Sequence, residues 1–280
     1  MQSAEEVAAN GCARSTVKET YEFILGDLNK AIELLANTKK TRSDKRYVSL
    51  DVAYGIRARV HLTMHNYADA LKDAEAALAS TSSVPYSSAA VSKPTFIDIE
   101  DASWMWGILI TDKDRVSTTG ICNFPSHMGS LNYGYASVGG WRRISPKLYN
   151  QIPESDVRKG WFLDDTGVSV NLPAAAQAYI TKKGAPVYTQ VKYGPMNDEW
   201  GSNNNATDVI LMRVEEMYLI KAEAQAMNND VSGGVNTLNS FVNTYRDPSY
   251  KCTATTGEAV QEAVWHQRRI EFWGEGLAYF

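Results

Sequence analysis

Cysteine is scarce: three residues, Cys12, Cys122 and Cys252, widely separated and odd in number. No CxxC pair exists, which excludes a zinc ribbon and a thioredoxin-like redox motif. The three read as unlinked thiols or at most one incidental disulfide. Long apolar runs are also missing. No stretch approaches the ~18 residues that span a bilayer. The opening MQSAEEVAANG has neither the basic nor the apolar region of a signal peptide, and with nothing hydrophobic ahead of it Cys12 is not expected to carry a lipid here. There is no surplus of positive charge: 28 Lys+Arg against 32 Asp+Glu give a net −4, so no phosphate-backbone attraction points to a nucleic-acid partner. Phenylalanine is thin, at 7 residues against 15 Tyr and 7 Trp. Aromatics with a polar handle dominate, which suits a surface that grips something polar.

What is present is ordinary globular material. Hydrophobic residues make up 44% and charged residues 21% of 280, which excludes wholesale disorder and leaves ample chain for a core. Val17, Tyr21, Ile24, Leu28, Ile32 and Leu35 advance in steps of three and four, predicting an amphipathic helix over Val17–Ala36. Ala58, Tyr67, Ala70, Ala74 and Ala77 have the spacing of a tetratricopeptide repeat, whose small residues let two antiparallel helices approach closely. Ala58 and Ala70 are expected to face each other. A weaker copy runs from Met217 to Tyr245, with Ala222 in the place of Ala58, a turn at Asn228-Asn229-Asp230, then Leu238 and Phe241. The copies are too far apart for a tandem array, so a helical scaffold interrupted by a long insertion is expected. A last helix is expected over Glu258–Trp273, with Gly274 and Gly276 able to end it.

The insertion has another character. It opens on the low-complexity STSSVPYSSAAVSKP, then offers two strand-like pieces, Ser103–Thr111 and Pro186–Tyr193. Between them lie Gly-, Asn- and Tyr-rich loops, notably GSLNYGYASVGGW. Long loops on a rigid scaffold are where binding function concentrates.

Several residues invite catalytic or metal readings. His61 and His65 have the i, i+4 spacing of zinc ligands, but Leu-Thr-Met between them supplies no general base; a structural pair is expected. Glu216 and Glu223 sit two turns apart on one helix, a separation open to glycosidic acid/base work. Arg213, one turn from Glu216, is expected to pair with it instead. Arg268, Arg269 and Glu271, like Asp156 with Arg158, are read as clamps between helix and loop. Asp112 with Asp114, and Asp164 with Asp165, lack an EF-hand frame. No phosphate loop, nucleophile elbow or Cys/His pair occurs. No catalytic residue, metal or cofactor is expected.

Three blocks of the sequence, taken together, are similar to the SusD/RagB family. They are ISPKLYNQIPESDVRKGWF from Ile144, DVILMRVEEMYLIKAEAQA from Asp208, read as a helix, and EAVWHQRRIEFWGEGLAYF at the end. The repeat over Ala53–Leu78 completes the resemblance. It implies a mainly α, SusD-like fold in which tetratricopeptide helix pairs support a long irregular insertion with short strands. One domain is expected over 1–280: a helical part at 1–80, a loop-rich ligand-binding insertion at 81–207 and a helical part at 208–280. The resemblance further implies a non-catalytic, cell-surface glycan-binding lipoprotein of the outer membrane, partnered by a TonB-dependent transporter. Family members begin with a lipid-anchored cysteine and continue beyond the equivalent of Phe280, so the chain is expected to be cut short at both ends. Two rival readings are a tetratricopeptide scaffold for a protein partner and an all-helical glycoside hydrolase.

A sugar offers an apolar C–H face with a rim of hydroxyls, so flat Trp and Tyr rings beside polar side chains suit it. Trp161, Phe162, Trp265 and Trp273 lie in the family-like blocks and are expected to be core. Trp104 and Trp106, on a strand-like piece, are expected to have one face buried. Tyr133, Tyr135 and Trp141, in the Gly-rich loop, and Trp200, in MNDEWGSNNN, lack an apolar neighbourhood in sequence. These four are the candidate glycan-binding residues.

Overall fold

The computed structural model describes residue 11 and residues 14–38, 40–118 and 123–277; Cys12 and Cys122 lie outside them. Helix α1 (Val17–Asn37) starts on a capping box, in which the Thr16 hydroxyl accepts from the Glu19 amide and the Glu19 carboxylate accepts from the Thr16 amide. Helices α2 (Leu50–Thr63) and α3 (Tyr67–Ser80) form the first hairpin, turned at His65 with φ 59°. Ala58, Ala70, Ala74 and Ala77 are all fully buried in one cluster with Met212 and Met217. Small side chains are what this seam requires.

The chain then passes through α4 (Ser88–Val91), β1 (Trp104–Ile108), α5 (Phe124–Met128), α6 (Pro146–Tyr149) and α7 (Ala174–Lys182). It returns by β2 (Val209–Arg213) to α8 (Val214–Met227), α9 (Val231–Tyr245) and α10 (Gly257–Glu271). Strands β1 and β2 pair antiparallel, with Trp104 opposite Arg213 and Ile108 opposite Val209. Residues 109–208 thus leave and re-enter the scaffold through one two-stranded neck.

Two expectations are corrected here. The block from Asp208 is not one helix: Val209–Arg213 is strand, because β1 offers it a hydrogen-bonding partner, and the helix begins only at Val214. Pro186–Tyr193 is not a strand; it makes only isolated bridges, Arg143 with Thr189, Phe162 with Gln190 and Thr95 with Tyr193.

The second hairpin, α8–α9, turns at Asn229 with φ 67°, and the Asp230 carboxylate accepts from the Gly233 amide at 2.9 Å. Gly234 lets its two helices approach closely. A Cβ there would lie 2.7 Å from the Ala222 carbonyl oxygen and 2.8 Å from the Ala226 Cβ. Helix α10 closes on α8 and α9 over Leu219, Leu238, Phe241, Val260 and Val264, with the Thr256 hydroxyl accepting from the Ala259 amide at its start.

The insertion is tied to the helices by a buried, electrically balanced cluster. Arg158, Lys192, Arg213 and Arg246 meet Asp156, Glu215, Glu271 and Glu275, all with buried side chains. Glu271 is the hub: Arg246 lies 2.8 Å, Arg213 3.0 Å and Arg158 3.3 Å from its oxygens. Arg158 also reaches Asp156 at 2.6 Å, and Lys192 reaches Glu275 at 2.5 Å. Burial alone would raise Glu271, but Arg246, Arg213 and Arg158 hold it well below the usual carboxylate range. Burial pushes the Lys192 ammonium down to about 8 against the pull of Glu275. Arg213 therefore pairs with Glu215, Glu271 and Glu275, not with Glu216 as its sequence spacing suggests. Glu216 is instead gripped at both oxygens by Arg59 of α2, at 2.5 and 2.7 Å. Partners from distant elements outcompete the neighbour one turn away.

Candidate functional site

The Gly-rich loop is built on α5. The Asn123 side chain accepts from the Ser126 amide, which starts that short helix. The Ser126 hydroxyl then accepts from the Tyr135 amide at 2.8 Å, and the Ser126 carbonyl from the Ala136 amide at 3.0 Å. Gly134 makes this approach possible, since a Cβ would lie 2.7 Å from the Ser126 hydroxyl. With Gly134 buried between them, Tyr133 and Tyr135 stand outward, 52% and 41% exposed.

A second loop joins the first. The Tyr133 amide donates to the Ser202 carbonyl and the Gly201 amide to the Leu131 carbonyl, both at 2.8 Å. This brings Trp200 to the same side as the 129–141 loop. Trp141 and Trp200 are partly buried, both packed on a small cluster of Leu131, Leu163, Ala176, Ile180 and Val191. The apolar neighbourhood that their local sequence lacks comes from α7 and from residues 163 and 191, distant in the chain. The four candidates thus divide into two open tyrosines and two tryptophans that also support the loops.

The open rings are held by charge. The Lys183 ammonium lies 5.3 Å from the centroid of Tyr133 and 5.7 Å from that of Tyr179. The Arg142 guanidinium lies 5.7 Å from Tyr135, whose ring is also stacked with His127 at 4.5 Å and 27°. Cation–π contacts fix ring orientation at little cost. Asn203 is exposed beside Ser202, and Asn204 donates to Asp112 at 2.6 Å. Such an arrangement offers flat faces with amide, hydroxyl and cationic groups beside them, which can stack a sugar and hydrogen-bond its rim. Sequence spacing alone could not pick out Lys183, His127 or Arg142, because nothing local links them to the tyrosines.

The remaining readings resolve at single residues. Trp104, Trp161, Phe162 and Tyr193 are buried, and Trp106 is partly so, its indole N–H donating to the Arg46 carbonyl. Trp273 packs edge-on to Phe162 at 5.2 Å. Trp265 departs from its expected core place: it is 44% exposed, with its indole N–H donating to Glu223 at 2.9 Å. His61 lies 3.8 Å from Asp73, and His65 stacks on Tyr67. Asp114 accepts from Thr111, and Asp164 from Thr166 and Val168. Among the described residues, no three His, Cys, Asp or Glu side chains are grouped to hold a metal ion. No helix among them is long and apolar enough to cross a membrane.

Comparison with known proteins gives the fold its family. Residues 145–280 match the SusD family model. No curated protein matches the sequence. A solved SusD-like carbohydrate binding protein from Bacteroides vulgatus is 26% identical, with a TM-score of 0.77 over 99% of this chain and 53% of its own. A SusD superfamily protein from Bacteroides thetaiotaomicron shares the fold at 22% identity, TM-score 0.71, over 95% of this chain and 55% of its own. One from Parabacteroides distasonis does so at 16% and 0.67, over 94% and 57%. The chain spans about half the length of these relatives. Its C-terminal part, residues 145–280, thus matches the SusD family, and its mainly helical architecture is shared almost end to end with solved SusD-like proteins.

Proposed function

We propose that this chain binds glycan without cleaving it, as one unit of helical scaffold and loop-rich insertion, at the face formed by Tyr133, Tyr135, Trp141 and Trp200. The observation that carries the reading is the pair of outward tyrosines, each held by a cation on loops that are hydrogen-bonded to each other. Exposed rings are disfavoured in water unless something covers them. Covering one ring with a sugar removes roughly 60–80 Å² of apolar surface, worth about 1.5–2 kcal/mol. An open face of this kind gives affinities in the micromolar-to-millimolar range. The name of the Bacteroides vulgatus relative, a carbohydrate binding protein, supports the same ligand class. The match of residues 145–280 to the SusD family supports placement on the outer membrane of the bacterial cell, where the protein passes oligosaccharide to a TonB-dependent transporter.

Catalysis has no comparable support. Glu216, the first of the two candidate carboxylates, is engaged at both oxygens by Arg59. Affinity electrophoresis against a panel of soluble polysaccharides, run beside a reducing-end assay, tests both halves of the reading. Retardation without sugar release is expected. Sugar release that is lost in Glu216→Gln or Glu223→Gln would overturn it.

A further inference from the structure

A cavity of about 460 Å³ opens between α1, α2, α8 and α10, on the helical scaffold rather than on the loops. Its volume is within the range of small-molecule sites. Glu216, Glu223, Arg59 and Arg268 line it, so the charges balance, two against two. Arg59 and Glu216 satisfy each other. The other pair does not. Glu223 is 3% exposed; its Oε1 accepts from Gln261 and Trp265, both at 2.9 Å, while Oε2 has no hydrogen-bond partner among the described residues. Arg268 is 8% exposed; its Nη2 lies 3.9 Å from Glu216, while Nη1 has no hydrogen-bond partner among the described residues. A buried donor and a buried acceptor left open cost free energy unless something enters to pair with them.

We propose that this cavity is a second saccharide site, for a neutral mono- or disaccharide, separate from the loop face. The ligand must both donate, to Glu223 Oε2, and accept, from Arg268 Nη1, which a polyhydroxylated ring does at every hydroxyl. It should carry no net charge, because a net anion would meet Glu223 and a net cation Arg268; among such ligands a polyhydroxylated ring fits the volume and the Trp265 face. Glu223 is bonded to residues 261 and 265 of α10, three to seven positions before Arg268. At 1.5 Å per residue, the backbone position of Arg268 lies roughly 5–10 Å along α10 from those of the residues that hold Glu223, the scale of one sugar ring with its hydroxyls. The exposed ring of Trp265 lines the same cavity and offers an apolar face to the C–H side of the sugar. The site shares no residue with the loop platform, so it stands or falls without it.

The 280-residue protein is titrated with glucose, galactose, mannose, N-acetylglucosamine, maltose, cellobiose and lactose. Glucosamine and glucuronic acid serve as the charged counterparts. Binding is followed by Trp265 emission, taken as the difference between the protein and its Trp265→Phe variant. At least one neutral sugar is expected to give a saturable Trp265-dependent change. That change should persist in a Tyr133→Ala/Tyr135→Ala protein and weaken at least tenfold in Glu223→Gln and in Arg268→Lys. The charged sugars should bind at least tenfold more weakly. No Trp265-dependent response to any neutral sugar overturns the proposal, as does equal binding of charged and neutral sugars. Unchanged titrations in both Glu223→Gln and Arg268→Lys do so too. Loss of polysaccharide binding in the loop variant alone bears on the loop face and leaves this site standing.

Discussion

At the scale of single residues, Glu271 decides most. It is fully buried and faces three arginines from three different parts of the chain. Removing one partner of such a set leaves uncompensated buried charge, at a cost of about 3–5 kcal/mol. Glu271→Gln is therefore expected to lose that much in urea unfolding at pH 7. The pH dependence has a definite sign. Burial would raise Glu271 and Glu275, but the arginines and Lys192 hold both below their ordinary 4.5. Their stabilisation is complete above about pH 4.5 and is lost as the pH falls through their lower folded values, where the native state must take up protons. Unfolding midpoints measured from pH 7 down to pH 3 should fall below pH 4.5, and less steeply in Glu271→Gln. The sequence marked Asp156 with Arg158, and Glu271, as clamps between helix and loop, but not which distant arginines Glu271 gathers. Arg213 and Glu271 are 58 positions apart, and the only partner that spacing suggests for Arg213 is Glu216, which the fold gives to Arg59. Trp265 was expected in the core because it lies in a family-like block, but such a resemblance does not show which elements cover a given side chain, and Trp265 is 44% exposed.

At the scale of elements, the helix pairs were the most legible part. Ala58, Ala70, Ala74 and Ala77 repeat at helical spacing, and small residues at such spacing have one common use, close approach of two axes. Ala70→Leu should overpack the first seam by about 1–3 kcal/mol, seen as a lower thermal midpoint; an unchanged midpoint would misplace the repeat. Gly234→Ala is a sharper test of the second seam. In an exposed helix that substitution stabilises by about 1 kcal/mol. Here the new Cβ meets the Ala222 carbonyl oxygen at 2.7 Å, so thermal unfolding should show a loss. The neck was not legible. Val209-Ile210-Leu211-Met212 is a short apolar run, and periodicity cannot separate strand from helix over such a length; its pairing partner is about a hundred residues earlier.

At the scale of the whole molecule, a helical frame holds a loop-built face through a two-stranded neck and a balanced charge cluster. The loops carry the aromatic groups, and the frame keeps them apart from the bulk of the core. The four residues of the proposed face were picked out from local composition, but how they divide between open rings and loop support was not. Trp141 and Trp200 rest on Leu131, Ala176 and Ile180, so Trp141→Ala and Trp200→Ala should lower the melting point as well as affinity. Tyr133 and Tyr135 stand outward, so removing them should weaken binding while leaving the fold intact. The most direct test of the glycan-binding account is isothermal titration calorimetry of the unaltered protein and of Tyr133→Ala/Tyr135→Ala, using a polysaccharide that retards the unaltered protein in affinity electrophoresis. Each ring contributes about 1.5–2 kcal/mol, so the double variant is predicted to bind at least a hundredfold more weakly, with an unchanged circular dichroism spectrum and melting point. Binding of that polysaccharide by the double variant at the strength of the unaltered protein would contradict the account.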